Sequence, residues 1–436
     1  MLSLPFFITT YGIMMQYKAI TALHLDKIPE INQLPPELQE SLRIVSQVFP
    51  FKTNRYIIEQ LIDWSQVPDD PIFKLNFPQK EMLPSEDYAL LRNLLRQQAS
   101  PAEIEMAVHK IRQRLIPPAP TPNSKLPGIS RPIVPGVWWP FQETIIAIPF
   151  HSNTCFAYCN YCSRWMKHTE DVFDPFYDDA TLLLPFLREH PQVSDILITG
   201  SDPLFMRASI LKRYVLPLLE VESLRNIRFA SKSLGYWPQR FVSDKDSAEL
   251  LDLFREISAK GKHVTVVAHL THPREISTEI TKQAIRKILS ANAVIRCQSP
   301  LIRGVNDNPQ VLADLWNCQV QLGMVPYYLF TEADAGPGEF FKVPYAEALS
   351  IFQSAYSQVS GLARTIRGPV IADSGTKTLL DGVIDIAGKK HFILKAIQSP
   401  NAKDVGKIIL ADYQKTASRP EELTSLQTSD NLAPKR

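Results

Sequence analysis

The feature that most narrows the fold is a rhythm that begins after a run of prolines. Eight prolines fall between positions 117 and 140, each fixing φ and removing a backbone donor, so residues 117–140 read as an extended connector. Past it, short apolar runs alternate with longer amphipathic stretches. Strands are expected at 144–148, 195–199, 227–230, 263–268, 293–297 and 325–330, and helices near 180–189, 208–219, 246–259, 278–290, 309–322 and 345–357. Strand–helix alternation is the signature of parallel pairing through right-handed crossovers. The expected class is therefore α/β, with six units whose sheet curls into a partial or full barrel and whose functional loops leave the carboxyl ends of the strands.

The flanks follow other rules. Residues 1–116 carry Leu, Ile and aromatic residues at helical spacing. Ser100-Pro101-Ala102-Glu103 offers a capping serine, a proline at the first helical position and a glutamate three residues on, and the stripe Ile104, Ala107, Ile111 and Leu115 predicts a helix to about Leu115. After the barrel region, 141–370, residues 371–415 form an extension in which 383–386 and 392–397, around Ala387-Gly388-Lys389-Lys390, predict a hairpin. The tail, 416–436, is rich in Ser, Thr, Glu and Pro and is expected to lack fixed structure.

Composition removes several function classes. With 47 Lys and Arg against 45 Asp and Glu, the formal charge of +2 gives no field that draws nucleic acid or an anionic membrane. No apolar run is long enough to span a bilayer. The stretch 1–15 has no basic residue ahead of its apolar part and is interrupted by Thr9, Thr10 and Tyr11, so it is read as a start placed too early, with Met14 or Met15 as the alternative, and the chain as cytoplasmic.

Five cysteines cannot staple 436 residues, and three of them are neighbours: Cys155-Phe-Ala-Tyr-Cys159-Asn-Tyr-Cys162, just past the first expected strand. Three thiolates on one loop can hold three irons of a 4Fe-4S cube and leave the fourth open to a small molecule. The alternative is a zinc site completed by His151 or His168. Cys297 and Cys318 lie far off and read as small apolar residues.

CxxxCxxC after the first strand of six strand–helix units resembles the radical S-adenosylmethionine signature, and the surrounding chain is similar to the lysine 2,3-aminomutase family. The matching segments run in order: Asp69-Asp70-Pro71 and Phe77-Pro78, Asp195-Ile-Leu-Ile-Thr-Gly200-Ser201-Asp202-Pro203-Leu204, Trp237-Pro238-Gln239-Arg240, His269-Leu-Thr-His272-Pro273-Arg274-Glu275-Ile276, Gln298-Ser-Pro-Leu-Ile-Arg303-Gly304-Val305-Asn306-Asp307 and Pro326-Tyr327-Tyr328. The resemblance covers roughly residues 55 to 400. It implies a radical S-adenosylmethionine partial (β/α)6 barrel with a helical amino-terminal region and a small carboxyl-terminal hairpin extension.

It also implies roles. Cys155, Cys159 and Cys162 would hold the cluster, at which S-adenosylmethionine is split to give a 5′-deoxyadenosyl radical. Tyr161 would lie against adenine, and Gly200-Ser201-Asp202 would receive the methionine amine, with Ser201 where the family has glycine. Ser231, Lys232, His269 and Gln298 fall at strand ends where such a site belongs. Arg164 would pair with a substrate carboxylate through a bidentate fork, and Glu332 and Asp334 flank the position that binds a distal amine in the family. Lys377, in Ile371-Ala-Asp373-Ser-Gly375-Thr-Lys377, is the counterpart of the lysine that carries pyridoxal 5′-phosphate. Where the family holds the phosphate with arginines ahead of the cysteines, this chain has Trp138-Trp139-Pro140-Phe141-Gln142-Glu143, so a phosphate dianion needs other donors. The implied reaction is a 1,2-amino shift on a small amino acid, driven by an electron donor such as a flavodoxin or ferredoxin. A radical reaction without pyridoxal phosphate (oxidation, crosslinking or epimerisation) and a non-catalytic zinc or iron–sulfur module are the alternatives, and a homo-oligomer is compatible with either.

Overall fold

The computed structural model describes residues 16–115, 136–162, 165, 180–332, 337–373 and 375–428. Twelve strands form one sheet: β3 (Val137–Phe141), β4 (Thr144–Ala147), β5 (Asp195–Ile198), β6 (Asn226–Ser231), β7 (His263–His269), β8 (Ala293–Pro300), β9 (Val325–Phe330), β10 (Arg367–Asp373), β11 (Thr376–Ile386), β12 (Lys389–Gln398), β13 (Ile408–Asp412) and β14 (Ser425–Thr428). β1 (Ile20–Thr21) and β2 (Lys52–Thr53) pair separately.

Strands β4 to β10 run parallel in chain order. All six expected strands are present, and a seventh, β10, joins them where the sequence reading had placed only the end of the barrel. Alternation explains the curl. On β6, Ile227 and Phe229 are fully buried beneath the helices, and on β8 Ala293, Ile295 and Cys297 do the same, while Ala230 and Gln298 face a central cavity. Helices Ser247–Ala259, Glu279–Ser290, Pro309–Gln321 and Tyr345–Ser357 cover the outer face near their expected positions.

Three expectations need correction. Val137 to Pro140 is strand rather than connector: it pairs antiparallel with β4 at the sheet edge, where proline's missing donor costs no ladder bond. The predicted hairpin is longer than its apolar core suggested, since β11 and β12 pair from Lys377–Gln398 to Ile386–Lys389 and continue the barrel sheet through β10. The segment after Thr416 is ordered as far as Thr428: Ala417 is buried and accepts from the Tyr345 N–H, Pro420–Glu422 makes a helical turn, and β14 pairs with β13. A polar composition did not prevent order because a neighbouring edge strand supplied the hydrogen bonds.

The amino-terminal helices share one apolar core with the cysteine loop and barrel residues such as Phe156, Trp237 and Phe341, and buried polar groups fasten them to the barrel as well. The Ser100–Glu103 capping box is present, with the Ser100 N–H donating to Glu103 Oε2 at 2.9 Å. Asp70, fully buried, caps Pro71–Asn76 through the Phe73 N–H and accepts from Arg274 across the domain junction. The Trp-Pro-Gln-Arg segment has a structural task. Arg240, 2% exposed, donates to the Leu204 and Met206 carbonyls at 2.7 and 2.9 Å and to Asp246 at 2.6 Å, and Asp246 in turn accepts from the Ala208 N–H.

Removing the Arg240 guanidinium strands two carbonyls and a carboxylate, which costs about 3 kcal/mol. Arg240→Ala should lower the unfolding free energy from denaturant titration by that amount, moving the midpoint down, and Arg240→Lys should recover only part of it because an ammonium lacks the fork. An unchanged midpoint in both variants contradicts this assignment.

Candidate active site

The cysteine loop leaves the carboxyl end of β4 and is fixed from both sides. From the amino-terminal region, the Lys52 carbonyl accepts from the Tyr158 N–H at 2.8 Å, the Leu75 carbonyl accepts from the Asn160 N–H at 2.9 Å, and the Lys74 carbonyl takes Asn160 Nδ2 at 2.9 Å. Asn54, fully buried, donates to the Phe156 and Tyr236 carbonyls. From the barrel, the Ser201 and Asp202 N–H groups donate to the Ser152 and Thr154 carbonyls at 2.9 and 3.1 Å. Gly200 has φ +129°, and a Cβ there would lie 2.5 Å from Ser152 Oγ, so this position tolerates no side chain. A loop held at this many backbone points presents its thiols in a fixed array.

Cys155, Cys159 and Cys162 all line one cavity of about 710 Å³ inside the barrel mouth, within the range of a cofactor-sized site. Among the described residues no three His, Cys, Asp or Glu side chains converge on a single ion position. The zinc alternative calls on His151 or His168. His151 bonds the Tyr214 hydroxyl at 2.7 Å instead, and His168 lies outside the described residues.

Two lysines bring positive charge to the loop. Lys52, 7% exposed, donates to Thr154 Oγ1 at 2.7 Å and sits among the rings of Tyr158, Phe205 and Tyr17; burial lowers its pKa to about 8 despite the Cys155 thiol beside it. Lys232 lies over the Tyr236 ring at 4.4 Å and donates to Thr271 Oγ1 and to Glu275. Glu275, with no exposure, also accepts from the Thr271 and His272 N–H groups. Burial pushes the Cys159 thiol up to about 12, and Lys232 opposes that shift. A metal ion is what makes a thiolate stable in such a setting.

The residues singled out from sequence converge in part. Tyr161, Ser201, Asp202, Ser231, His269, Gln298, Asp373 and Lys377 line the same cavity as the cysteines. Tyr161 is buried, with its hydroxyl 3.0 Å from His269 Nε2 and 3.3 Å from Thr271 Oγ1. Asp202 is held by the Ser231 hydroxyl at 2.8 and 2.9 Å and by the Leu204 and Lys232 N–H groups; burial nevertheless raises its pKa to about 6. Arg164 and Asp334 lie outside the described residues.

Lys377 is on strand β11 rather than in a glycine-rich loop. Its ammonium donates to Gln398 Oε1 at 2.7 Å and lies 4.9 Å from the Tyr328 ring centroid. Burial first, then Arg228 and Arg367, bring its pKa down to about 8. Sequence reasoning missed Lys52 and Asn54, which belong to a remote segment with no motif. It also missed Ser418 to Glu421, which line the cavity mouth and which composition had assigned to an unstructured tail.

No family model matches the chain. Curated relatives do. A candidate L-lysine 2,3-aminomutase of Aquifex aeolicus is 26% identical over 382 residues, 87% of this chain and 89% of its own. The L-lysine 2,3-aminomutase of Clostridium subterminale is 26% identical over 261 residues, 58% of this chain and 59% of its own. That of Bacillus subtilis is 24% identical over 344 residues, 79% and 63% respectively. The cysteine loop sits at the mouth of a parallel barrel, and along most of its length the chain is similar to the lysine 2,3-aminomutases.

Proposed function

We propose that the protein is a radical S-adenosylmethionine enzyme that moves an amino group between adjacent carbons of a small amino acid, with pyridoxal 5′-phosphate on Lys377. The observation that carries this reading is that three loop thiols, S-adenosylmethionine-type strand-end groups and a lysine of lowered pKa all face one cavity. A 4Fe-4S cluster with S-adenosylmethionine at its open iron supplies a carbon radical able to take hydrogen from an unactivated C–H bond, and pyridoxal phosphate supplies the delocalised system across which nitrogen migrates.

The protein's own residues do the rest. Cys155, Cys159 and Cys162 are the cluster ligands the loop offers. Asp202, already oriented by Ser231, lines the cavity at the end of β5 and would supply negative charge toward an incoming ammonium. The Tyr161–His269 pair makes an aromatic wall, with ring centroids 5.7 Å apart. Glu332, whose carboxylate oxygens are shielded from solvent at the end of β9, is the acidic group facing substrate. Ser418 to Glu421 narrow the mouth and keep water from a radical. Arg164 and Asp334 are the further substrate contacts the resemblance suggests. An external donor such as a flavodoxin or ferredoxin would provide the electron.

Radical chemistry without pyridoxal phosphate is the second reading, favoured by one contact: the Lys377 ammonium is taken up by Gln398 at 2.7 Å.

Anaerobically reconstituted protein should hold iron and sulfide in equal amounts and release 5′-deoxyadenosine when reduced with S-adenosylmethionine. Cys155→Ala, Cys159→Ala or Cys162→Ala should each abolish that release; a colourless zinc protein would contradict the reading. Lys377→Ala should stop formation of a β-amino acid from a panel of α-amino acids yet leave slow release of 5′-deoxyadenosine, whereas retained amino migration would exclude Lys377 as the cofactor lysine. Because the Lys377 amine must be neutral to attack an aldehyde and its pKa is about 8, trapping of pyridoxal phosphate by borohydride should rise with pH to a midpoint near 8. A midpoint near that of an exposed lysine would overturn this.

A further inference from the structure

The sequence leaves a phosphate without its arginines, and the structure offers others. Arg228, Arg296 and Arg367 stand on β6, β8 and β10. Alternation places two of them on a known face: Arg228 shares the face of Ala230 and Arg296 that of Gln298, both of which line the cavity. These two therefore stand on the lumen side toward the amino-terminal ends of their strands, and Arg367, which a register shift separates from the rest of β10, is placed beside Lys377 by the Tyr328 ring that both approach.

Their partners are unusual for so many cations together. Arg228 pairs with Asp195 at 2.6 Å. Arg296 and Arg367 lie instead over one ring, with guanidinium carbons 5.3 and 4.9 Å from the Tyr327 centroid. Arg367 also lies 4.4 Å from the Tyr328 centroid, the ring that Lys377 approaches from 4.9 Å. Stacking on an aromatic face leaves the in-plane N–H donors of a guanidinium available. Among the described residues the nearby carboxylates are Asp195, held by Arg228, Glu143, which accepts from Gln398 at 3.4 Å, and Asp373, which lines the cavity next to Ala372, the register partner of Lys377. Four cations against three carboxylates leave an excess of positive charge, which favours a phosphate anion.

We propose that Arg296 and Arg367, with Arg228 behind them, form a phosphate-monoester site in the barrel lumen beside Lys377. The proposal rests on the reading of Lys377 as the cofactor lysine and deepens it: the phosphate is held from strands β8 and β10 rather than from the segment ahead of the cysteines. An aldehyde bearing a phosphate is then gripped at both ends. Its carbonyl condenses with the neutral Lys377 amine, forming C=N and releasing one water, and its dianion meets the guanidinium donors.

The test compares pyridoxal 5′-phosphate with pyridoxal in borohydride trapping, where hydride reduces C=N to a secondary amine that peptide mass mapping locates. Pyridoxal phosphate should label Lys377 at a concentration at least about tenfold below pyridoxal. Inorganic phosphate should suppress that advantage, and Arg296→Gln and Arg367→Gln should each erase most of it. Wild-type far-ultraviolet circular dichroism in the variants serves as the control for folding, and the comparison is the ratio of the two aldehydes within each variant, because loss of Arg367 also raises the Lys377 pKa and slows labelling by both. Equal labelling by the two aldehydes, or an advantage that survives both substitutions, overturns the phosphate site while leaving Lys377 as the aldehyde-binding residue. If neither aldehyde labels Lys377 but inorganic phosphate raises the melting temperature of wild type and not of the two variants, the anion site stands and the cofactor reading falls.

Discussion

Everything at this site depends on a loop that has no regular structure of its own and is nonetheless rigid. Its backbone groups are paired on one side with the Lys52 to Leu75 stretch and on the other with the end of β5. Buried N–H and C=O groups must find partners, and here the partners come from two bodies at once. The helical amino-terminal region is thus part of the site: without it the loop would have donors and acceptors to satisfy in water, and the spacing of three thiols would no longer be defined. Asp70 and Arg274 bind the same two bodies together at a second place.

Charge is distributed along the lumen in layers. At the carboxyl end, Lys52 and Lys232 face the thiols, and Glu275 is buried behind Lys232 to hold it. At the same strand ends Asp202, His269 and Gln298 line the cavity with the thiols. At the amino-terminal end, guanidinium groups gather around Tyr327 and Tyr328. A low-dielectric interior makes each layer matter more than it would at a surface.

Much of this was legible in the sequence. The six strands were readable because strands buried on both faces are continuous apolar runs, and the cysteine loop because its spacing is chemically restrictive. Gly200 was legible as an element of a motif, although its reason, contact with Ser152, appears only in three dimensions. What could not be read depends on partners distant in the chain. Lys52 and Asn54 meet the loop about a hundred residues away. The residues after Thr416 gain order from β13 and Tyr345, not from their own composition. Lys377 looked like a loop residue because Gly375 lies two positions before it, but pairing with Gln398 and Ala372 draws it into a strand.

The central claim is that the thiol loop holds a cluster with one iron left for a small molecule in the cavity. Electron paramagnetic resonance of the reduced, reconstituted protein, recorded with and without S-adenosylmethionine, tests it directly. The account predicts that the cluster's g values shift when the sulfonium compound is added and return when a non-chelating analogue lacking the amino and carboxylate groups replaces it. A cluster spectrum indifferent to both compounds would mean that the protein itself fills every iron, and the account would fail.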